Sequence, residues 1–293
     1  MSSLCTRERY FLEAKDSYEE AKIVLIGVPL DLTVTFRPGA REGPQAIRSA
    51  SQGLEDYSPY LDRTLVECDF YDGGDLILPF GNLEISFKRI EETCRVLLED
   101  QKFPFFLGGE HLLSFPVVRV LAEFYPNLAV LHFDAHADLR NDYLGENYSH
   151  ATVIRRICEI VGGRNVFQFG IRSGTKEEFL YGRSFTNFYP FVLSEALEAC
   201  RARLTGRPLY VTVDLDLVDP AFAPGTGTPE PGGFTPQEVF GILGILQDLH
   251  VVGCDFVELA PPYDTNGITA LLAAKLVRES LLAFSRSLAV FPG

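Results

Sequence analysis

The sequence is poor in positive charge: 26 Lys+Arg stand against 40 Asp+Glu, giving a formal net charge of −14 and a pI near 4.8. A chain of that balance has no general basic surface for a polyanion, which argues against nucleic acid as a partner. It also lacks any apolar run approaching the roughly 18 residues of a membrane span. The longest, Ile23 to Leu30, is eight residues and is broken by Gly27 and Pro29. No apolar signal core is expected either, because Met1-Ser2-Ser3 soon gives way to Arg7, Glu8 and Arg9. The six cysteines (Cys5, Cys68, Cys94, Cys158, Cys200, Cys254) contain no close pair, which suits neither a disulfide framework nor a thiolate metal site. Repeats, low-complexity tracts and linkers are missing, and no glycine run carries the lysine of a nucleotide-binding loop. These absences point to a cytoplasmic globular protein with free, mostly buried thiols. Its 293 residues, 46% of them hydrophobic, suffice for a sizeable core in a single domain spanning 1–293.

Short β-branched or aromatic runs alternate with helix-period stretches, the pattern of an α/β protein with a mostly parallel sheet. Strands are expected at Ile23–Val28, Val66–Tyr71, Phe103–Leu107, Ala129–Phe133, Val166–Phe169, Leu209–Val213 and Val251–Val257. Ser86–Glu99 sets Phe87, Ile90, Cys94, Leu97 and Leu98 on one helical stripe. Thr235-Pro236-Gln237-Glu238 opens another helix with a capping box, and a well-buried helix is expected from about Thr265 to Arg286. The Pro/Gly-rich stretch Pro224 to Gly233 reads as a shaped loop inside a strand-to-helix connection.

Three segments share one design, an apolar strand followed by metal-type ligands at its carboxyl end. Phe103–Leu107 leads into Gly108-Gly109-Glu110-His111; Leu131-His132-Phe133 into Asp134-Ala135-His136-Ala137-Asp138; Tyr210–Val213 into Asp214-Leu215-Asp216. In an extended chain alternate side chains share a face, so Asp134, His136 and Asp138 can converge, as can Asp214 and Asp216. Open parallel sheets bind ligands outside the carboxyl ends of their strands. Four close carboxylates would repel strongly in a low-dielectric cleft, and some would have to take up protons. Two divalent ions would neutralise them and supply a shared water of lowered pKa. Oxygen-rich coordination with two imidazoles suits Mn²⁺ better than a nitrogen- or sulfur-only zinc site. His132, inside a buried strand, reads as a satisfied core histidine or a partner to a ligand rather than a ligand. His250, after a helix, reads as a partner of the helix dipole or of solvent.

These motifs carry a resemblance. With Asp214-Leu215-Asp216-Leu217-Val218-Asp219-Pro220 and Gly225-Thr226-Gly227-Thr228-Pro229-Glu230-Pro231-Gly232-Gly233, the chain resembles the ureohydrolase family of arginases and agmatinases along nearly its whole length. It is most similar to the agmatinase branch. One departure is Glu110, where the family usually has Asp before the first ligand histidine. The resemblance implies a three-layer αβα arginase-like fold, a homo-oligomer (trimer or hexamer), and two Mn²⁺ ions per subunit. One ion would take His111, Asp134, Asp138 and Asp214; the other His136, Asp134, Asp214 and Asp216. A hydroxide between them, oriented by Asp138, would attack the guanidinium carbon of a small cationic substrate. It further implies that Glu258, after the strand Val251–Val257, holds the guanidinium through a charge-assisted pair. His150, which Ser149 can cap, would be the proton shuttle that helps the amine leave.

The loops beside the ligands narrow the substrate. Gly225 to Gly233, Glu258 through Pro261-Pro262-Tyr263-Asp264, and Arg140 to His150 resemble agmatinases more than arginases, which hold an α-carboxylate with an Asn-rich pattern. The expected reaction is therefore agmatine plus water giving putrescine and urea. Asp142, Glu146 and Glu230 are candidates for the distal ammonium. Guanidinobutyrase, an aminopropyl-agmatine ureohydrolase and arginase remain alternatives, as does an inactive ureohydrolase-like binding protein. A dinuclear phosphoesterase fits less well, since no phosphate-binding Arg cluster is evident. A histone-deacetylase-like enzyme would use one zinc and would not need both Asp214/Asp216 and His111.

Overall fold

The computed structural model describes residues 5–6 and 9–290, so the expectation for residues 1–4, 7 and 8 lies outside the described residues. In chain order the strands are β1 (Cys5–Thr6), β2 (Ile23–Val28), β3 (Tyr57–Ser58), β4 (Arg63–Thr64), β5 (Phe70–Leu76), β6 (Phe103–Gly108), β7 (Ala129–Phe133), β8 (Val166–Phe169), β9 (Asn187–Tyr189), β10 (Leu209–Asp214) and β11 (Val251–Val257). The α-helices are α1 (Gly43–Ser51), α2 (Leu83–Glu99), α3 (Ser114–Phe124), α4 (Val153–Val161), α5 (Lys176–Phe185), α6 (Ser194–Leu204), α7 (Pro236–Leu246) and α8 (Ile268–Val290). Nine strands form one sheet in the order β1-β5-β2-β6-β11-β10-β7-β8-β9, parallel throughout except where edge strand β1 runs against β5. β3 and β4 make a separate small hairpin.

Period-two alternation in strands buried on both faces builds two cores. Ile23 and Leu25 enter one, with Ile47 of α1, Leu197 of α6, Val239 of α7 and the buried face of α8. Val24, Ile26 and Val28 enter the other, with Phe87 of α2, Val117 of α3 and Ile154 of α4. The result is the expected three-layer αβα architecture. The free cysteines are also as expected, five buried and Cys5 partly so. No helix among the described residues is long and apolar enough to cross a membrane.

Several boundaries differ from the sequence reading: the helix read over Ser86–Glu99 starts at Leu83 and the last helix runs to Val290, and two further differences have a clear cause. The strand expected at Val66–Tyr71 starts at Phe70 and runs on to Leu76. Leu65–Glu67 instead form a 3₁₀ turn, in which the Thr64 side chain accepts from Val66 N, and Val66 is exposed. The continuation was hidden because Asp72-Gly73-Gly74-Asp75 does not look like a buried strand. Arg48 of α1 makes it one: Nε and Nη2 meet the Asp72 carboxylate at 2.8 and 2.9 Å, Nη1 meets Asp75, and Arg48 is wholly buried. The last helix begins at Ile268 rather than Thr265, because Asp264 accepts from Thr269 N at 3.1 Å and Ala270 N at 2.8 Å. The capping box at Thr235 and Glu238 is present.

Arg48→Met should leave the buried Asp72 and Asp75 uncompensated and cost about 3–5 kcal/mol. Urea denaturation followed by far-UV circular dichroism measures this; an unchanged midpoint would assign the pairing no structural weight.

Candidate metal centre

The chain leaves β6 and lays down β7 beyond a gap that β10 and β11 later fill. The four central strands β6, β11, β10 and β7 thus stand side by side, and every ligand candidate leaves one of their carboxyl ends. Gly109 permits the first turn: a Cβ there would lie 1.9 Å from Leu30 O, where Glu110 N now donates to that carbonyl at 2.7 Å. The aspartate clusters converge by tight turns rather than by extended alternation. Asp134 Oδ1 accepts from His136 N at 2.5 Å, and Asp214 Oδ1 from Asp216 N at 2.8 Å. Asp138 and Glu258 adopt left-handed backbone, with φ of 53° and 68°, a cost that side chains held at a functional site often carry.

His111 is the centre of the arrangement. Its Nδ1 lies 3.2, 3.3 and 3.4 Å from carboxylate oxygens of Asp134, Asp138 and Asp214. That nitrogen is buried and has no hydrogen-bond partner among the described residues. Its Nε2 faces Thr212 Oγ1 at 2.9 Å, and Thr212 donates to Asp255 Oδ1 at 2.6 Å. Ser114 and Tyr210 hydroxyls donate to the other oxygen of Asp255. With its proton directed to Asp255, the Thr212 hydroxyl accepts from His111 Nε2–H, which leaves Nδ1 bare. A bare lone pair facing three carboxylates is repulsive unless a proton or a metal cation stands between them, so the residues present fit a metal.

His136 Nδ1 lies 2.9 Å from Asp216 Oδ2 and 3.6 Å from Asp134 Oδ1. The two sets His111, Asp134, Asp138 and Asp134, His136, Asp216 each gather ligand atoms close enough to share an ion. His132 also falls near the first set, with Nε2 at 2.7 Å from Asp134 Oδ2. Both its nitrogens are occupied, however. Gln168 Nε2, whose identity is fixed by donation to Ala137 O, donates to His132 Nδ1 at 3.1 Å, so Nε2–H donates to Asp134. His132 orients the carboxylate of Asp134, a candidate ligand, and is not itself available to a cation. His250 sits at the amino end of β11, across the sheet.

Without a cation, protons take its place. Burial and the neighbouring Asp134 push Asp138 up to about 7, and burial with Asp216 and Asp134 raises Asp214 well above the carboxylate range. His136 rises to about 12 and His111 well above its usual value; burial opposes both shifts, and the adjacent aspartates overcome it. Asp134 is held well below the carboxylate range against burial by the three histidines around it.

A cavity of about 420 Å³ opens onto this cluster, lined by His111, His136, Asp138, Asp214, His150 and Glu258 among others. Glu258 Oε1 accepts from His111 N at 2.7 Å, while Oε2 lies beside Gly227, 3.4 Å from where a Cβ would stand. Burial, with Glu110 and Asp216 adding to it, pushes Glu258 up to about 8. His150 is pushed down to about 4, chiefly by burial. Of the three acids considered for a distal group, Glu230 lines the cavity, whereas Asp142 and Glu146 are exposed outside it. Arg140 lines it too, with Nε 3.5 Å from Glu178 Oε2.

Some supporting residues carried no signal in the sequence. Arg172, after β8, donates to Asp216 O at 2.7 Å, Leu217 O at 3.1 Å and Glu230 O at 2.7 Å, clipping the Pro224–Gly233 loop to the ligand turn. Nothing in its neighbours distinguishes it from a surface arginine. Asp255 did leave a trace: a carboxylate inside the apolar run Val251–Val257 must be buried and therefore partnered.

A family model described as the arginase family matches residues 21–283. An agmatinase of Bacillus cereus is 50% identical over 279 residues, covering 94% of this chain and 96% of its own. A mitochondrial guanidino acid hydrolase of Homo sapiens is 37% identical over 292 residues, covering 94% of this chain and 82% of its own. The crystal structure of the agmatine ureohydrolase of Thermoplasma volcanium superposes with a TM-score of 0.86 at 32% identity, covering 97% of each chain.

Because Asp138 holds its proton up to about 7 and His136 up to about 12, an entering cation must displace protons. Metal affinity should therefore rise as pH rises through 7 and fall below it. Calorimetric titration of metal-free protein with Mn²⁺ in two buffers of different ionisation enthalpy should show net proton release. Binding without proton release would contradict the arrangement.

Proposed function

The chain belongs to the arginase family, and from that membership we propose that it hydrolyses agmatine to putrescine and urea with two Mn²⁺ ions. The ions would be held by His111, Asp134, Asp138 and Asp214, and by His136, Asp134, Asp214 and Asp216. The observation that carries the metal assignment is the bare, buried Nδ1 of His111 facing three aspartates. An oxygen-rich donor set with two imidazoles favours Mn²⁺ over softer-ligand metals. When bound, such ions supply a water of lowered pKa and the positive charge that lets four neighbouring aspartates remain ionised.

The chain's own groups supply the remainder. Glu258 keeps Oε2 free of the His111 amide, and a guanidinium beside it favours the ionised carboxylate against the burial that raises its pKa. That pair fixes the guanidinium carbon toward the cluster. Asp138, which lines both cluster and cavity, can orient the attacking water as an acceptor. His150, held neutral by burial, takes up a proton as a base and returns it to the departing amine nitrogen. Glu230, which lines the same cavity, would meet the distal ammonium of agmatine.

A second reading has one observation in its favour. Arg140 lines the cavity and could meet the carboxylate of a guanidino acid. Glu178 already offsets its charge, which favours agmatine.

Mn²⁺-loaded protein should release urea from agmatine with a far higher kcat/KM than from arginine, guanidinobutyrate or aminopropyl-agmatine. Strong hydrolysis of arginine or guanidinobutyrate with none of agmatine overturns the assignment. Glu258→Gln should lower kcat/KM for agmatine by roughly a hundredfold or more, the scale of breaking a buried charge pair. Metal content by atomic emission should stay unchanged; metal loss instead would assign Glu258 to the metal cluster.

A further inference from the structure

Glu110, at the position where the family usually carries aspartate, is engaged by the loop after β2. It is fully buried, and its carboxylate accepts from Leu32 N at 3.1 Å, Thr33 N at 2.9 Å and Thr33 Oγ1 at 2.7 Å. It thereby fastens the loop after β2 to the end of β6. The Thr33 hydroxyl has one proton, and that proton goes to Glu110. Toward any other neighbour Thr33 Oγ1 can only accept.

That neighbour is His150. Its backbone N donates to Thr33 Oγ1 at 2.9 Å, and its ring Nδ1 lies 3.4 Å from the same oxygen. A hydroxyl whose proton is engaged elsewhere requires Nδ1 to carry hydrogen. Nε2, on the opposite side of the ring, is then the unprotonated nitrogen. Tyr143 packs edge-on against the imidazole at 5.7 Å, and its hydroxyl lies 3.4 Å from Thr35 Oγ1 of the same loop.

We propose that Glu110 and Thr33 are positioning residues that act through His150. Glu110, by way of the Thr33 hydroxyl, holds the imidazole in place and in its Nδ1–H form, so that Nε2 is the nitrogen that takes and returns the proton. This rests on the reading of His150 as the proton shuttle. No bond other than N–H is made or broken at His150: Nε2 gains one proton and gives the same proton to the amine, while Nδ1 keeps its own throughout.

Thr33→Val removes the hydroxyl at nearly constant volume. It should lower kcat for agmatine about tenfold to a hundredfold while KM and metal content hold, and Thr33→Ser should restore most of the loss. In a His150→Asn background, Thr33→Val should have almost no further effect on kcat. A full, additive loss there would show that Thr33 acts on the fold and not through His150, and would overturn the proposal. A readout that needs no turnover separates this from the substrate assignment: imidazole ¹⁵N shifts of histidine-labelled protein holding Mg²⁺, with His150 assigned by its loss in His150→Asn. The Nδ1–H form should dominate in the parent and in Thr33→Ser and give way to a mixture in Thr33→Val. An Nε2–H form in the parent overturns the proposal even if agmatine is hydrolysed. The Nδ1–H pattern in a protein that hydrolyses none of the guanidines supports the constraint on His150 and overturns the function instead.

Discussion

The structure depends on an electrostatic conflict: Asp134, Asp138 and Asp214 converge on one bare imidazole nitrogen, with Asp216 close behind, and all are buried. Like charges so near one another in a low-dielectric site cannot all persist without compensation. When no cation is present the compensation falls to protons, which burial and like charge favour on Asp138 and Asp214 and the neighbouring aspartates favour on His111 and His136. A divalent ion resolves the conflict in another way, by replacing those protons. The sheet order makes the crowding possible, because four adjacent parallel strands deliver their carboxyl ends to one place.

How far this was legible in the sequence follows from what each residue does. The strand-end acids and histidines stood out because apolar strands ending in Asp and His have few other uses. Four of the seven expected strands have their observed limits because β-branched, doubly buried runs have sharp edges, and two more, Phe103–Gly108 and Leu209–Asp214, extend by one residue. The strand through Asp72 and Asp75 was misplaced because its stability comes from Arg48, distant in sequence and visible only after folding. The convergence of Asp214 with Asp216 was anticipated, but its cause was not. A side chain closing a turn on the next amide but one does the work assigned to strand alternation.

Among the three acids considered for a distal ammonium, local sequence could not discriminate. Asp142 and Glu146 share a loop with His150, yet they face solvent, whereas Glu230 reaches the cavity because Arg172 ties its backbone to the ligand turn. That clip joins residues far apart in the chain and leaves no periodicity or motif behind. The same holds for Thr33, an ordinary residue in a loop until Glu110 and His150 are seen on either side of it. What sequence conveys poorly here is the hydrogen-bond partner of a partner.

Those indirect partners follow a common logic. His111 is reached from Asp255 through Thr212, and His150 from Glu110 through Thr33. In both cases a neutral hydroxyl stands between a buried carboxylate and the imidazole. A carboxylate placed directly on the ring would also fix the tautomer, but its charge would favour imidazolium, as Asp216 does for His136. Passing the constraint through a hydroxyl sets which nitrogen is protonated while moving the negative charge one residue away. For His111 that would leave the lone pair on Nδ1 once a cation replaces the proton the aspartates favour there; for His150 it would leave Nε2 as the nitrogen of a proton shuttle. His132 differs in meeting a carboxylate, that of Asp134, directly: Gln168, an uncharged amide, fixes the tautomer from the other side. At each of these three rings an uncharged group, Thr212, Thr33 or Gln168, sets which nitrogen carries hydrogen.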